Sequence, residues 1–312
     1  MADRLIGIEI GGTKLQIVRS ASPPRIDSRY RATVDRRRGA EGIMAAIETG
    51  INDLCGDHSP SAIGVGFGGP IDPRTGRIVC SHQIEGWDNF SLGDWLNARW
   101  SVPFLADNDA NTAALAEALH GAGQGFDPVF YITLGSGVGG GLVRSGHVYH
   151  GHVPGESEIG HLRLDRRGLI VEESCSGWAV DRKVSEAIAA DPGGGLSLAR
   201  QQLGGPPAAA LGHALTQSDP MARDILEHTS DDLAFALSHV VHLQHPETMI
   251  LGGGLSLLGE PLLEAVQSKL PQYVMRAMHP PPKLQLASLH EAAVPIGALT
   301  LAEQAAARAM SP

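Results

Sequence analysis

At 312 residues, with 43% hydrophobic and 19% charged positions, the chain is long enough for about two domains and too apolar for wholesale disorder. A formal charge of −10 argues against a nucleic-acid coat or a polybasic membrane binder, though not against an anionic substrate held locally. Cys55, Cys80 and Cys175 form no CxxC or CxxH pair and no run approaches the roughly 18 apolar residues of a membrane span, so a cytoplasmic setting with neither nucleic-acid nor membrane partners is expected.

The opening MADRLIGIEIGG shows no secretory signal. Leu5 to Ile10 reads as a strand entering the turn Gly11-Gly12-Thr13-Lys14, and Leu15-Gln16-Ile17-Val18 follows at once. A hairpin is predicted there. Residues 40–54 place apolar side chains at helical spacing. Ala62 to Phe67 is a further strand, ending at Gly68-Gly69-Pro70. A short strand over 103–106 precedes Asp107-Asn108-Asp109-Ala110-Asn111-Thr112, and Thr112 to Gly121 reads as a helix. From Val129 the hairpin pattern recurs, with Val129 to Leu134, a glycine turn, then Gly141-Leu142-Val143. Two strand–turn–strand units in similar roles form a weak internal repeat and predict two related domains facing each other. Helices are predicted over 178–190 and 219–243, with a Gly- and Pro-rich loop over 191–207 between them. A late strand, Thr248 to Leu251, leads into Gly252-Gly253-Gly254, and an Ala-rich helix over 292–310 closes the chain. The class is mixed α/β.

The glycine clusters narrow the chemistry. Gly135-Ser136-Gly137-Val138-Gly139-Gly140 and Gly64-Val65-Gly66-Phe67-Gly68-Gly69 both satisfy GxGxxG. A dinucleotide fingerprint needs a helix directly after the glycines, and neither match has one. No GxxxxGK[ST] occurs, so a P-loop is excluded. What remains is a pair of hairpin turns whose backbone N–H groups and hydroxyls can hold phosphate oxygens: Gly11, Gly12, Thr13 and Lys14, then Thr133, Gly135, Ser136 and Gly137. Asp107 to Thr112 crowds polar side chains where a single helix cap would suffice, and a carboxylate there can take a proton from a hydroxyl. Glu156-Ser157-Glu158-Ile159-Gly160-His161 offers carboxylates and an imidazole suited to sugar hydroxyls.

The order GGTK, GFGGPID, DNDAN, LGSGVGGGL, ESEIGH and ILGGGLS resembles the ROK family of sugar kinases, within the actin-like ATPase superfamily, from about residue 5 to 300. The resemblance implies a two-domain actin-like (ribonuclease H-like) fold with a cleft between domains. The N-terminal α/β domain would span 1–110, joined by the C-terminal helix 298–312, and a larger C-terminal α/β domain 111–297. It implies ATP-dependent phosphorylation of a hexose, most simply glucose to glucose 6-phosphate. N-acetylmannosamine, N-acetylglucosamine and fructose are the alternative substrates. Asp109 matches the catalytic base. Gly69, Asn108, Glu158, His161 and Glu172 match the sugar site. Gly11 to Lys14 and Thr133, Gly135 and Gly137 match the phosphate turns, and Gly253 and Gly254 the adenosine motif. ATP, Mg²⁺ and a homodimer are implied with them.

Two departures stand out. Glu9 takes the place of the family's usual Asp near the Mg²⁺–phosphate site, leaving an indirect metal role there. The cysteine-rich zinc loop after ExGH is missing between His161 and Glu172, and the lone Cys175 does not replace it, so no zinc is expected. His147, His150 and His152, like His239, His242 and His245, show no carboxylate partner in sequence and read as polar positions. A sugar-sensing regulator of the same family would carry a DNA-binding domain ahead of the first hairpin. The hairpin begins within the opening residues, which favours a kinase over such a regulator, and the presence of Asp109 and both phosphate turns favours it over a non-catalytic sensor.

Overall fold

The computed structural model describes residues 4–310 apart from 82, 83, 153, 154 and 156. It divides into two units, one of Met1–Gly125, Gly141–Ser157 and Ser288–Pro312, the other of Phe126–Gly140 and Glu158–Ala287.

The first unit begins with β1 (Leu5–Ile10), β2 (Lys14–Ser20), β3 (Ser28–Thr33), α1 (Gly39–Cys55) and β4 (Ala62–Phe67). It continues through β5 (Ile71–Asp72), β6 (Arg77–Ile78), α2 (Leu92–Trp100), β7 (Phe104–Asn108) and α3 (Asp109–His120). Its main sheet has the order β3-β2-β1-β4-β7. The predicted hairpin is present, with β1 and β2 antiparallel (Leu5 opposite Ser20), while β4 runs parallel to β1 (Ile6 beside Ile63) and to β7 (Ile63 beside Phe104). Every residue of β1 and of β4 is buried, as a parallel strand covered on both faces requires. One face packs Ile6, Ile8, Ile63 and Val65 with Ile43, Ile47 and Ile51 of α1. The other takes the C-terminal helix, which joins Leu299, Ala302 and Ala305 to Leu5, Val18 and Ala62. That helix lies so close that a Cβ on Gly64 would fall 1.9 Å from the Ala298 carbonyl oxygen. Only glycine fits there.

The second unit holds β8 (Val129–Leu134), the start of β9 (Val138–Arg144), α4 (Val171–Cys175), α5 (Gly177–Ala190), α6 (Gly195–Leu203), α7 (Ala209–Thr216) and α8 (Pro220–Gln244). It ends with β11 (Thr248–Gly252), α9 (Glu260–Tyr273) and β12 (Lys283–Leu286). β10 (His147–Val148) and α10 (Ala293–Met310) belong to the first unit. The order β10-β9-β8-β11-β12 repeats that of the first sheet, again with parallel pairs at β8–β11 and β11–β12.

Two readings change. The first break was expected at 110, inside α3. The helix remains whole in the first unit, because it packs on α10 at Gly297, where a Cβ would meet the Thr112 carbonyl oxygen at 1.9 Å. The loop expected over 191–207 contains α6. Its glycines sit at the ends, with Gly194 as N-cap and Gly204 as C-cap at φ 64°, and Leu196 and Ala199 are buried between them. Glycine at caps punctuates a helix without interrupting it. No helix among the described residues is long and apolar enough to cross a membrane.

Candidate active site

In the first unit the carboxyl ends of three parallel strands coincide, with Ile10 beside Phe67 and Phe67 beside Asn108. Ligands in open α/β sheets bind at such ends. The Gly68 N–H donates to Ile10 O at 2.8 Å. A Cβ on Gly68 would stand 3.6 Å from both Gly11 Cα and Asp109 Oδ2. Three motifs distant in sequence, GGTK, GFGGP and DND, therefore meet at one spot. Gly69 is the second residue beyond β4.

The first glycine turn is closed by Gly11 N–H donating to Lys14 O at 3.0 Å. Beneath it Glu9 is 8% exposed, and a buried carboxylate needs partners. Lys14 Nζ lies 3.1 Å from Oε1, and Gln16, directly opposite on β2, donates to Oε2 at 2.7 Å. Gln16 Oε1 in turn accepts from Arg29 at 3.0 Å and Arg31 at 2.9 Å on β3. This cross-strand relay is invisible in a linear motif, although the alternation of β2 and β3 places all four side chains on one face.

The crowding at Asp107 to Asn111 resolves into a division of labour. Asn108 is the N-cap of α3, its Oδ1 accepting from Asn111 N–H at 2.7 Å, which leaves its amide NH₂ as a donor. Asp107, 2% exposed, accepts from Asn108 N–H and Asn111 Nδ2, both at 2.9 Å. Asp109 opens the helix and is exposed.

In the second unit the turn Gly135-Ser136-Gly137 follows β8, with Gly135 N–H donating to Gly137 O at 3.0 Å. A Cβ on Gly135 would lie 4.0 Å from Thr133 Oγ1. Gly253 has φ 79°, and a Cβ there would strike the Leu134 backbone nitrogen at 2.5 Å. This position requires glycine for conformation and for space. It also sets Gly254 beside the second turn.

The three sugar-site carboxylate and imidazole candidates of this unit gather around Val138, one residue past that turn. Glu172 Oε2 accepts from Val138 N–H at 2.9 Å. A Cβ on Gly160 would stand 2.2 Å from Val138 O, so the single 3₁₀ turn Ile159–His161 is pressed against the same residue. Glu158 and His161, both exposed, flank that turn, with His161 N–H donating to Glu158 O at 3.1 Å. Glu156 lies outside the described residues. Cys175 is buried in α4 with Sγ 3.7 Å from Thr229 O, and burial pushes its thiol up to about 12.

A cavity of 590 Å³ in the second unit is lined by Gly135, Ser136, Trp178, Asp181, Gly254 and Leu257, among others. Trp178 is 68% and Leu257 73% exposed. Asp181 Oδ1 accepts from Ala208 N–H at 2.6 Å. Sequence reasoning found the glycines of this cavity and missed Trp178 and Asp181. A tryptophan directly after Ser176-Gly177, at the start of α5, was the available signal.

The sequence model of the ROK family matches residues 5–305. The chain belongs to the ROK family. A glucokinase of Halalkalibacterium halodurans is 30% identical, over 97% of this chain and 96% of the relative. A glucokinase of Thermotoga maritima is 29% identical, over 87% of this chain and 88% of its own. Among solved structures, the ROK family glucokinase of Streptomyces griseus in complex with glucose and AMPPNP superposes with a TM-score of 0.82 at 29% identity, covering 96% of this chain and 99% of the other. This ROK protein is an ATP-dependent sugar kinase with the two-domain actin-like ATPase fold.

Proposed function

We propose that this kinase transfers the γ-phosphoryl group of ATP to the 6-hydroxyl of glucose, with Asp109 as the base. The observation that carries this reading is the meeting of an exposed Asp109 carboxylate with Gly68 and the Gly11 turn. There a hydroxyl can be deprotonated beside the turn that carries the Thr13 hydroxyl and the Lys14 ammonium. Phosphoryl transfer asks for positioning and charge stabilisation more than for covalent chemistry. Thr13, Lys14 and the turn amides meet that need in the first unit, and Thr133, Gly135 and Gly137 in the second. Asn108 through its amide, with Glu158, His161 and Glu172, would hold the sugar hydroxyls. The nucleotide base fits the cavity bounded by Trp178, Leu257 and Gly254, whose exposed apolar faces suit a purine.

Mg²⁺, arriving with ATP, would supply charge neutralisation at the phosphates. Glu9 fits an indirect part in holding it. Each of its oxygens already accepts one hydrogen bond, and the second lone pair of each can accept from a metal-bound water. The similarity to glucokinases supports glucose as the sugar. A cytoplasmic homodimer completes the reading. The test is ADP release against a panel of glucose, fructose, mannose, N-acetylglucosamine and N-acetylmannosamine. The proposal expects the highest kcat/KM with glucose. A higher value with any N-acetylhexosamine, or ADP release indifferent to sugar, would overturn the assignment.

A further inference from the structure

Behind the DND segment lies a contact that the proposed reaction has not used. His150 Nε2 stands 2.6 Å from Asp107 Oδ2, the imidazole partly exposed and the carboxylate buried. Both residues belong to the first unit. A carboxylate oxygen only accepts, so Nε2 carries the proton and donates. The other oxygen of Asp107 receives Asn108 N–H and Asn111 Nδ2. The orientation of Asn111 follows from this. Its Oδ1 is buried without a partner among the described residues, and an exchanged amide would set that oxygen against a carboxylate. Asn111 N–H then caps onto Asn108 Oδ1 at 2.7 Å, and Thr112 Oγ1 donates to Asn108 O at 2.6 Å.

The bonds thus form one chain from His150 through Asp107 to the backbone and side chain of Asn108, next to Asp109. We propose that His150 is a positioning residue for the phosphoryl acceptor site. It fixes the rotamer of Asp107, and Asp107 fixes where Asn108 and Asp109 point. The inference rests on the reading of Asp109 as base. The groups that share the small cavity around His150 are Arg74 from the loop after β5, Asp107 from β7, His147 from β10 and Arg308 from α10. Arg74 is already committed to Asp72 at 3.2 Å. Asp107 is the carboxylate within hydrogen-bond distance of the ring.

A buried carboxylate that loses one of its three donors is free to turn, and displacement of a reacting group by about 1 Å can cost up to 10²-fold in rate. The experiment compares kcat, KM for glucose and KM for ATP in the wild type, His150→Ala, His150→Gln and Asp109→Asn. His150→Ala should lower kcat roughly tenfold with KM for ATP unchanged. His150→Gln, whose amide NH₂ can still donate to Asp107, should recover most of that loss. A role confined to stability would shift the Tm of both variants and leave kcat per folded molecule intact. Wild-type kcat in His150→Ala, or equal losses in both His150 variants, would overturn the inference. Asp109→Asn separates the two claims, since turnover surviving in that variant sinks the base assignment, whatever His150 does.

Discussion

The two glycine turns close equivalent hairpins in sheets of the same strand order, yet they are furnished for different work. Around the first, charge accumulates: Lys14 and Glu9 at the turn, Gln16 with Arg29 and Arg31 behind it, and Asp109 at the end of the third parallel strand. Around the second, the turn backbone is packed against Gly253 and accepts from Gly177 N–H at Gly135 O, Val138 N–H just beyond it donates to the Glu172 carboxylate, and the adjoining cavity presents Trp178 and Leu257. The third parallel strand of the second sheet, β12, ends at Leu286 and is followed by Ala287, neither of which carries a carboxylate. On the proposed reading, one repeated frame separates proton transfer from nucleotide grip. The shared topology fixes where backbone amides point. The side chains at the strand ends decide what chemistry each half performs.

That contrast can be broken from either side. Asp109→Asn should lower kcat by roughly 10²–10⁴-fold, the range for a lost general base, measured by coupled ADP release at saturating glucose and ATP. Trp178→Ala should weaken ATP binding, since stacking on a base contributes about 1–3 kcal/mol and about 1.4 kcal/mol is tenfold in affinity. Quenching of tryptophan fluorescence by ATP in the wild type, much reduced in the variant, checks the same contact. Gly253→Ala puts a side chain on backbone at φ 79° and ψ 178°, a region essentially reserved for glycine that costs roughly 1–3 kcal/mol, as well as colliding with Leu134. Its Tm should fall by several degrees, with ATP affinity reduced alongside.

The smallest effect concerns pH and the first unit alone. Burial lowers the His120 imidazole below its ordinary 6.5, against the opposing charge of Glu303. The neutral ring faces Thr300 Oγ1 at 3.0 Å, and that hydroxyl donates onward to Ile296 O. As pH falls below about 6.5, the unfolded chain takes up a proton that the folded chain resists, so stability drops. Thermal melts at pH 5.5 and 7.5 should show that loss, and His120→Gln should reduce the difference between them.

How much of this was legible beforehand follows the range of each interaction. The hairpins, the helix expected over 112–121 and observed over 109–120, and the glycine turns were readable because alternation, caps and turn residues act over a few positions. The convergence of Gly11, Gly68 and Asp109 depends on the parallel order of β1, β4 and β7, which local patterns do not fix. The His150–Asp107 contact spans 43 positions, and nothing local to either residue announces the other. From sequence the histidine group reads as a polar face or a satisfied hydrogen bond, with no partner named. The Glu172 bond to Val138 N–H was hidden for the same reason, since backbone groups leave no mark in a motif. α6 escaped because its glycines were counted as breakers when they are caps.

The most direct test of this division is equilibrium binding of a non-hydrolysable ATP analogue to Asp109→Asn and to Trp178→Ala, each measured beside its kcat at saturating substrates. The account predicts a crossed result: Asp109→Asn binds the analogue with near wild-type affinity and turns over at least a hundredfold more slowly, while Trp178→Ala binds about tenfold more weakly and keeps most of its kcat. Near-normal turnover in Asp109→Asn, or unchanged affinity in Trp178→Ala, would contradict it.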